Sequence, residues 1–284
     1  MDFNIDKANK LEKEINWEAL LEDLSEISFD EVVRGLPFTW GIPAIDSTIG
    51  LFDYNKLIIV PGEAWSGKTT FTIQQAMANA KNWRKVAYLS LEMGARWLVV
   101  ATAKKAAWID LQKEVGIGVE TTEAQRQKFK EVVVELTKTT NLDLIGYVDS
   151  LTLKSFEKEL NKLAVDYDLI FIDNLWFIGR TDWRKEAELT PLITELCMNA
   201  RKAHKVSIIA LTHMTKGSEK QEWPRGRSAI RGSGKVVDDA DKIVQIYRSG
   251  DATNFILQKD RDNWLNANIP LVFNRGRFEA DIFM

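Results

Sequence analysis

Residues 62–69 read Gly-Glu-Ala-Trp-Ser-Gly-Lys-Thr, and the spacing Gly-x-x-x-x-Gly-Lys-Thr suits the cradling of a phosphate chain. The run follows the apolar stretch KLIIV and precedes a helical pattern. A strand would therefore deliver a loop whose backbone N–H groups, backed by the positive end of the next helix, face an anion. Gly62, Glu63, Ala64, Trp65, Ser66, Gly67, Lys68, Thr69 and Thr70 are the expected nucleotide contacts. Lys68 would reach the β and γ phosphates and the Thr69 hydroxyl would ligate Mg²⁺, so ATP or another NTP with Mg²⁺ is the implied cofactor.

In an open parallel sheet, ligands bind beyond the carboxyl ends of the strands. Three apolar runs end in polar groups: VAYLSL in Glu92, LIFI in Asp173 and SIIALT in His213. Asp173, on a strand well downstream of the loop, suits a carboxylate that holds Mg²⁺ through its water shell. Hydrolysis also needs a group that orients or deprotonates water, and Glu92 is the candidate by position. Its ordinary alternative is an exposed glutamate favoured by a helix dipole. His213 either hydrogen-bonds the γ phosphate and reports its loss, or is a structural histidine at a strand end.

Two later stretches carry cations. Residues 216–235 hold Lys216, Lys220, Arg225, Arg227, Arg231 and Lys235 against Glu219 and Glu222. Glycines and serines near the end of that stretch allow a loop backbone to approach a phosphate chain. Arg225, Arg227 and the segment Arg231, Gly232, Ser233, Gly234 and Lys235 are the expected contacts there, with a solvated charged loop as the alternative. After the strand NFILQ come Lys259, Asp260, Arg261, Asp262 and Asn263. Arg261, on the side of the domain away from its own phosphate loop, suits an arginine finger for a neighbour's nucleotide, or a surface salt bridge with Asp260 or Asp262.

The elements that position these groups alternate. Strands are expected at 56–60, 85–91, 143–148, 169–172, 206–211, 242–247, 255–258 and 269–273, and helices at 69–80, 95–107, 123–138, 153–163 and 191–203. Thr122 and Gln125 would form a capping box, and Thr190 with Pro191 would open the last helix. The stretch GLPFTWGIP reads as a loop. Alternating strands and helices predict an α/β fold, a mostly parallel sheet covered on both faces, with the last strands forming a hairpin extension. Residues 7–27 read as an amphipathic helix whose apolar stripe packs on its own domain or on a neighbouring subunit.

Composition narrows the class. With 284 residues, 45% hydrophobic and 28% charged, the chain has the mix of a globular domain with one large core. A net charge of −3 argues against a surface coated for nucleic acid but leaves room for a local basic site. Cys197 is the single cysteine and there are two histidines, too few for a zinc cage, and Cys197 sits in a helical pattern that suits an inert thiol. No apolar run is long enough to span a bilayer and no signal peptide is evident, so a cytoplasmic location without membrane association is expected, in a host's cytoplasm if the gene is phage-borne.

Together these residues resemble the RecA-type motor domain of DnaB-like replicative helicases, including phage primase-helicases. The matching pieces are GLFDYNKLIIVPGEAWSGKTTF, YLSLEM, LIFIDNL, LTHMTKG, RSAIRGSGKVVDDADKIVQIYR and ILQKDRDNW, which in order cover roughly residues 38 to 278. The first three recur across RecA-like ATPases, whereas the last two point to hexameric helicases. The resemblance implies a RecA-like P-loop NTPase core over 37–284 and a helical docking segment over 1–36. It implies that Lys68 and Thr69 hold phosphates and Mg²⁺, Glu92 activates water, Asp173 supports the metal and His213 senses the γ phosphate. Lys259 and Arg261 would act in trans, and Arg231 to Lys235 would line a channel for single-stranded DNA. The implied assembly is a homo-hexameric ring moving 5′ to 3′, with a loader or primase as a further partner, since no accessory domain is expected ahead of the motor. Ala229 departs from the family, which often has an acidic residue two before the loop arginine. Other readings are a recombinase-like or KaiC-like ATPase that remodels DNA or protein, and a nucleotide-gated DNA-binding scaffold.

Overall fold

The computed structural model describes residues 35–106, 122–138, 141–147, 151–180, 186–214, 226–230, 233–249, 252–274 and 277–280. The expected helix at 7–27 lies outside them. Two compact units divide the chain, Met1–Leu36 and Pro37–Met284, and the elements named below all belong to the second.

Six strands form the parallel part of the sheet: β1 (Leu57–Gly62), β2 (Val86–Ser90), β3 (Leu142–Gly146), β4 (Leu169–Asp173), β5 (Ser207–His213) and β6 (Lys242–Ser249). β1, β2 and β4 are buried at every position. Continuous apolar runs such as LIIV and LIFI arise where both faces of a parallel sheet are covered. Three further strands, β7 (Ala252–Asp260), β8 (Ala267–Asn274) and β9 (Arg277–Ala280), continue it antiparallel. The order is β3-β2-β4-β5-β1-β6-β7-β8-β9. The expected hairpin extension is thus a longer meander, and β9 is the strand that the sequence pattern did not announce.

Seven helices are described: α1 (Pro43–Ile49), α2 (Lys68–Lys81), α3 (Ala95–Ala106), α4 (Glu123–Lys138), α5 (Leu153–Asp166), α6 (Glu186–His204) and α7 (Ser233–Asp239). One face of the sheet packs an aromatic core of Phe38, Trp40, Phe52, Phe71, Phe255 and Phe278. Phe71 of α2 is fully buried with its ring centroid 5.7 Å from that of Phe255, so truncating it to Ala would cost about 3–5 kcal/mol. The other face packs Phe156 and Leu160 of α5, Ile193 and Cys197 of α6, and Val236 of α7. Burial pushes the Cys197 thiol up to about 12, which makes it the inert core residue expected.

Local chemistry sets the start of α5. Thr152 caps α5 by accepting from the Ser155 N–H at 3.1 Å, while Ser155 Oγ accepts from the Thr152 N–H at 3.0 Å. α4 begins at Glu123 as expected, although the Gln125 side chain lies outside the described ones. Two expectations need correcting. α6 begins at Glu186, so Thr190 is not its cap and Pro191 lies inside it. The extra turn buries Leu189, and because a proline so near a helix start removes only one ladder bond, that burial prevails. Part of the expected loop GLPFTWGIP is also ordered differently: Pro43 opens α1, and Asp46 accepts from the Trp40 N–H at 2.8 Å and from the Thr39 hydroxyl.

Candidate active site

Strand order decides which side chains meet. Because β2, β4, β5 and β1 are neighbours, their carboxyl ends fall in one row, with Ser90 opposite Asp173 and Gly62 opposite His213. The loop after β1 leads into α2, whose flanking residue Gly67 has φ +94° and offers no side-chain cap. The first N–H groups of α2 therefore remain available to an anion, as the loop sequence requires. A Cβ at Gly67 would sit 2.6 Å from the Phe278 ring, and one at Gly62 would sit 2.8 Å from Ser66 Oγ and 2.9 Å from Lys68 Cδ. Both positions need glycine.

Lys68 is 7% exposed and donates to the carbonyls of Gly62 (3.0 Å) and Glu63 (2.6 Å). Burial lowers its ammonium to about 8, against the opposing pull of Asp173, Glu92 and Glu63. Asp173 is 2% exposed, and its Oδ2 accepts from the Thr69 hydroxyl at 2.8 Å and the Tyr88 hydroxyl at 2.9 Å. The Thr72 and Tyr88 hydroxyls are themselves 2.9 Å apart. Burial raises the Asp173 carboxyl to about 6; the Glu92 charge adds to this, while the bonds from Thr69 and Tyr88 oppose it. A buried carboxylate held beside a buried ammonium and two hydroxyls can exchange those partners for a cation and the phosphates it carries.

Glu92, exposed at the end of β2, and His213, at the end of β5, are brought together by a residue between them. Asn174 Nδ2 donates to Glu92 Oε2 at 3.0 Å and lies 3.2 Å from His213 Nε2. Its Oδ1 accepts from the Trp176 N–H at 2.9 Å. Thr69 with Asp173, and Glu92 with Asn174 and His213, are thus two hydrogen-bonded groups carried side by side by the adjacent residues Asp173 and Asn174.

These residues fit a magnesium nucleotide. Ser66 Oγ is buried in the loop without a hydrogen-bond partner, the state of a group built to meet a ligand. Among the described residues no cluster of three or more His, Cys, Asp or Glu could hold a metal. One carboxylate and one hydroxyl, completed by phosphate oxygens and water, is the arrangement Mg²⁺ uses. Beside the loop, Glu63, Ala64, Trp65 and Ser66 line a cavity of about 350 Å³ with Gln245, Ile246, Tyr247 and Arg248 of β6.

The other expected residues are placed elsewhere. Lys259 and Arg261 lie at the opposite end of the strands, where β7 ends beside the start of β6. Lys259 Nζ donates to the carbonyls of Val237 (2.5 Å) and Ala240 (2.7 Å), closing the end of α7. Arg261 donates to the Asp238 carbonyl and to Asp241 Oδ1 at 3.3 Å. The carboxylate it meets is therefore Asp241 and neither Asp260 nor Asp262, which pair with the buried Lys242 at 2.5 and 3.1 Å. Burial pushes Asp260 upward, but the Lys242 bond and charge outweigh it and leave that carboxyl below its ordinary range.

Arg225, Arg231 and Gly232 lie outside the described residues. Arg227 is exposed in a short 3₁₀ turn, Arg227–Ala229. Ser233, Gly234 and Lys235 form the first turn of α7 rather than a continuous loop, because Val236 and Ala240 bury on the sheet. Lys235 is exposed and reaches Asp239 at 3.1 Å. Sequence reasoning missed Asn174, Tyr88 and Thr72. Asn174 had a signal, as a second polar residue at the end of LIFI, whereas nothing local marks Tyr88 or Thr72.

A family model, the DnaB-like helicase C terminal domain, matches residues 38–278, from the first buried aromatic to β9. The chain belongs to this family. Among relatives of the DnaB-like domain, the replicative DNA helicase DnaC of Bacillus subtilis (strain 168) is 28% identical over 226 residues, 76% of this chain and 48% of its own. The replicative DNA helicase DnaB of Geobacillus stearothermophilus is 27% identical over 229 residues, 77% and 48% respectively. The chain thus spans about half the length of the relatives it matches. A solved structure of an isolated ATPase domain has the same fold, with a TM-score of 0.75 at 19% identity and 99% of each chain covered. So does a DnaB-like replicative helicase whose structure was described with its interactions with primase, with a TM-score of 0.75 at 20% identity, covering 92% of this chain and 66% of that one. These likenesses establish the DnaB-like domain as a RecA-like α/β fold. Among its described residues no helix is long and apolar enough to cross a membrane.

Proposed function

We propose that this domain is the ATP-hydrolysing motor of a replicative DNA helicase, a homo-hexameric ring that moves 5′ to 3′ along single-stranded DNA. The observation that carries this reading is the convergence of Lys68, Thr69, Asp173, Glu92 and His213 on one end of the sheet while Lys259 and Arg261 stand at the other. Lys68 and the loop from Gly62 to Thr70 hold the phosphates, with Thr69 and Asp173 on Mg²⁺, which supplies charge stabilisation at the transferred phosphoryl group. Glu92 accepts a proton from the attacking water, and His213 meets the γ phosphate. Lys259 and Arg261 serve the neighbouring subunit's nucleotide.

Arg225, Arg227 and the stretch 231–235 face the DNA strand, residues 37–284 form the motor, and residues 1–36 dock on the adjacent subunit. Either a loader or a primase is a further partner; the primase reading is supported by a structural neighbour described with its interactions with primase.

Particle mass and ATP turnover, each with and without single-stranded DNA, test the reading. A six-fold mass with a non-hydrolysable nucleotide and DNA-stimulated turnover are expected. Glu92→Gln should bind nucleotide and assemble but lose turnover. A permanent monomer whose hydrolysis ignores DNA would sink the ring motor.

A further inference from the structure

Asn174 is 1% exposed, directly after the strand that carries Asp173, and three observations fix what its amide does. Its oxygen accepts from the Trp176 N–H at 2.9 Å. Turning the amide over would set its NH₂ against that N–H donor, so the orientation is determined. The nitrogen then has two protons for two neighbours, Glu92 Oε2 at 3.0 Å and His213 Nε2 at 3.2 Å. His213 Nε2 takes the acceptor role, which leaves the ring proton on Nδ1. The backbone beneath is anchored, since Leu175 and Ile178 are each 2% exposed in the core where this turn packs on β5 and α6. Glu92 itself is exposed, and a free glutamate at a strand end would sample many rotamers.

We propose that Asn174 is a positioning residue for hydrolysis: the two N–H bonds of one buried amide hold the Glu92 carboxylate and the His213 ring, so that a contact made by the imidazole is passed to the carboxylate that activates water. This inference rests on the hydrolytic reading above. It makes Glu92 and His213 a single device, whereas the strand ends taken one by one present them as separate groups. Losing or gaining a phosphate at His213 shifts the ring, the shared amide follows, and the carboxylate moves with it.

Steady-state hydrolysis by the full chain, with Mg²⁺ and single-stranded DNA, tests it. Asn174→Asp keeps the oxygen that caps Trp176 and removes both donors. Asn174→Ser keeps a hydroxyl acceptor for the same N–H but is too short to bridge. Asn174→Ser should melt within a few degrees of wild type and Asn174→Asp lower, because it adds a buried charge beside Asp173 and Glu92; both should have kcat lower by roughly 10- to 100-fold and KM for ATP changed by less than about threefold. Adding Asn174→Asp to Glu92→Gln should cost no further activity, since both changes disable the same step. A folded Asp or Ser variant that keeps wild-type kcat overturns the proposal, as do losses that multiply in the double variant. If Glu92→Gln itself turns over at the wild-type rate, the hydrolytic reading fails first and the positioning role with it.

Discussion

Arg261 donates to Asp241 Oδ1 at 3.3 Å, and Asp241 in turn receives Arg201 and the backbone N–H of Leu57 at 2.8 Å. Leu57 is the first residue of β1 and Gly62 is the last. The cation at the far end of the strands is therefore tied to the foot of the strand whose other end opens the phosphate loop. Five steps of about 3.3 Å separate the two ends of β1, roughly 16 Å. An arginine so placed is out of reach of its own phosphate loop, as the proposed role between subunits requires.

Arg261→Ala should lower DNA-stimulated turnover by about 10³-fold or more while nucleotide binding persists. Asp241 retains Arg201 and the Leu57 N–H, so no buried carboxylate is orphaned and the melting temperature should move little. Mixing Arg261→Ala with Lys68→Ala subunits should restore part of the activity, as measured by ATPase assay across mixing ratios. Strictly proportional mixing with no recovery would contradict a finger acting between chains.

Asp173 ties stability to pH. Burial penalises its charge and raises the carboxyl from its ordinary 3.8 to about 6 in the fold. Between those values the folded chain holds a proton that the unfolded chain has released. The stability this confers is complete below about pH 4 and disappears as the pH rises through about 6. At neutral pH the ion is a burden, and Asp173→Asn should stabilise the ligand-free protein by on the order of 2 kcal/mol while abolishing Mg²⁺-dependent turnover. Urea unfolding at about pH 8 decides it: an Asn variant no more stable than wild type would be the wrong outcome.

Gly67 joins two constraints, φ +94° and a Cβ position 2.6 Å from the Phe278 ring. Gly67→Ala should cost about 2–3 kcal/mol, part from backbone strain and part from the clash. Phe278→Leu, which shortens the opposing side chain, should recover the steric part only. A double-mutant cycle by thermal or chemical melting would reveal this as coupling; strict additivity would mean that β9 does not press on the loop.

Arg231→Ala combined with Lys235→Ala should remove DNA stimulation of hydrolysis and flatten the salt dependence of DNA binding. The logarithmic slope should fall by roughly 1–2 for two lost phosphate contacts. Titrations at several salt concentrations measure it, and unchanged affinity and slope would take these residues off the DNA path.

The phosphate loop was legible because its function depends on a contiguous spacing, Gly62 to Thr69, flanked by a strand and a helix. Glu92, Asp173 and His213 were legible for a related reason: each directly follows an apolar run, and a parallel sheet presents all such ends on one side. Pro191 misled because a proline reads as a helix start, while the burial of Leu189 that extends α6 backwards depends on a distant sheet face. β9 escaped notice because Arg277–Ala280 is short and its Phe278 gains meaning only against Gly67 and α2.

By itself, the sequence determined the chemistry available: a phosphate cradle, a carboxylate for a metal, a candidate base and two late cations. These follow from residue type and near-neighbour spacing, which the chain carries locally. Which of them act on one another was decided by the strand order β2-β4-β5-β1. The antiparallel pairing of β6 with β7 brings Arg261 to Asp241, and the order β2-β4-β5-β1 inserts Asn174 between Glu92 and His213. That topology arises from burying both sheet faces at once, a constraint spread over the whole domain and therefore invisible in any single stretch.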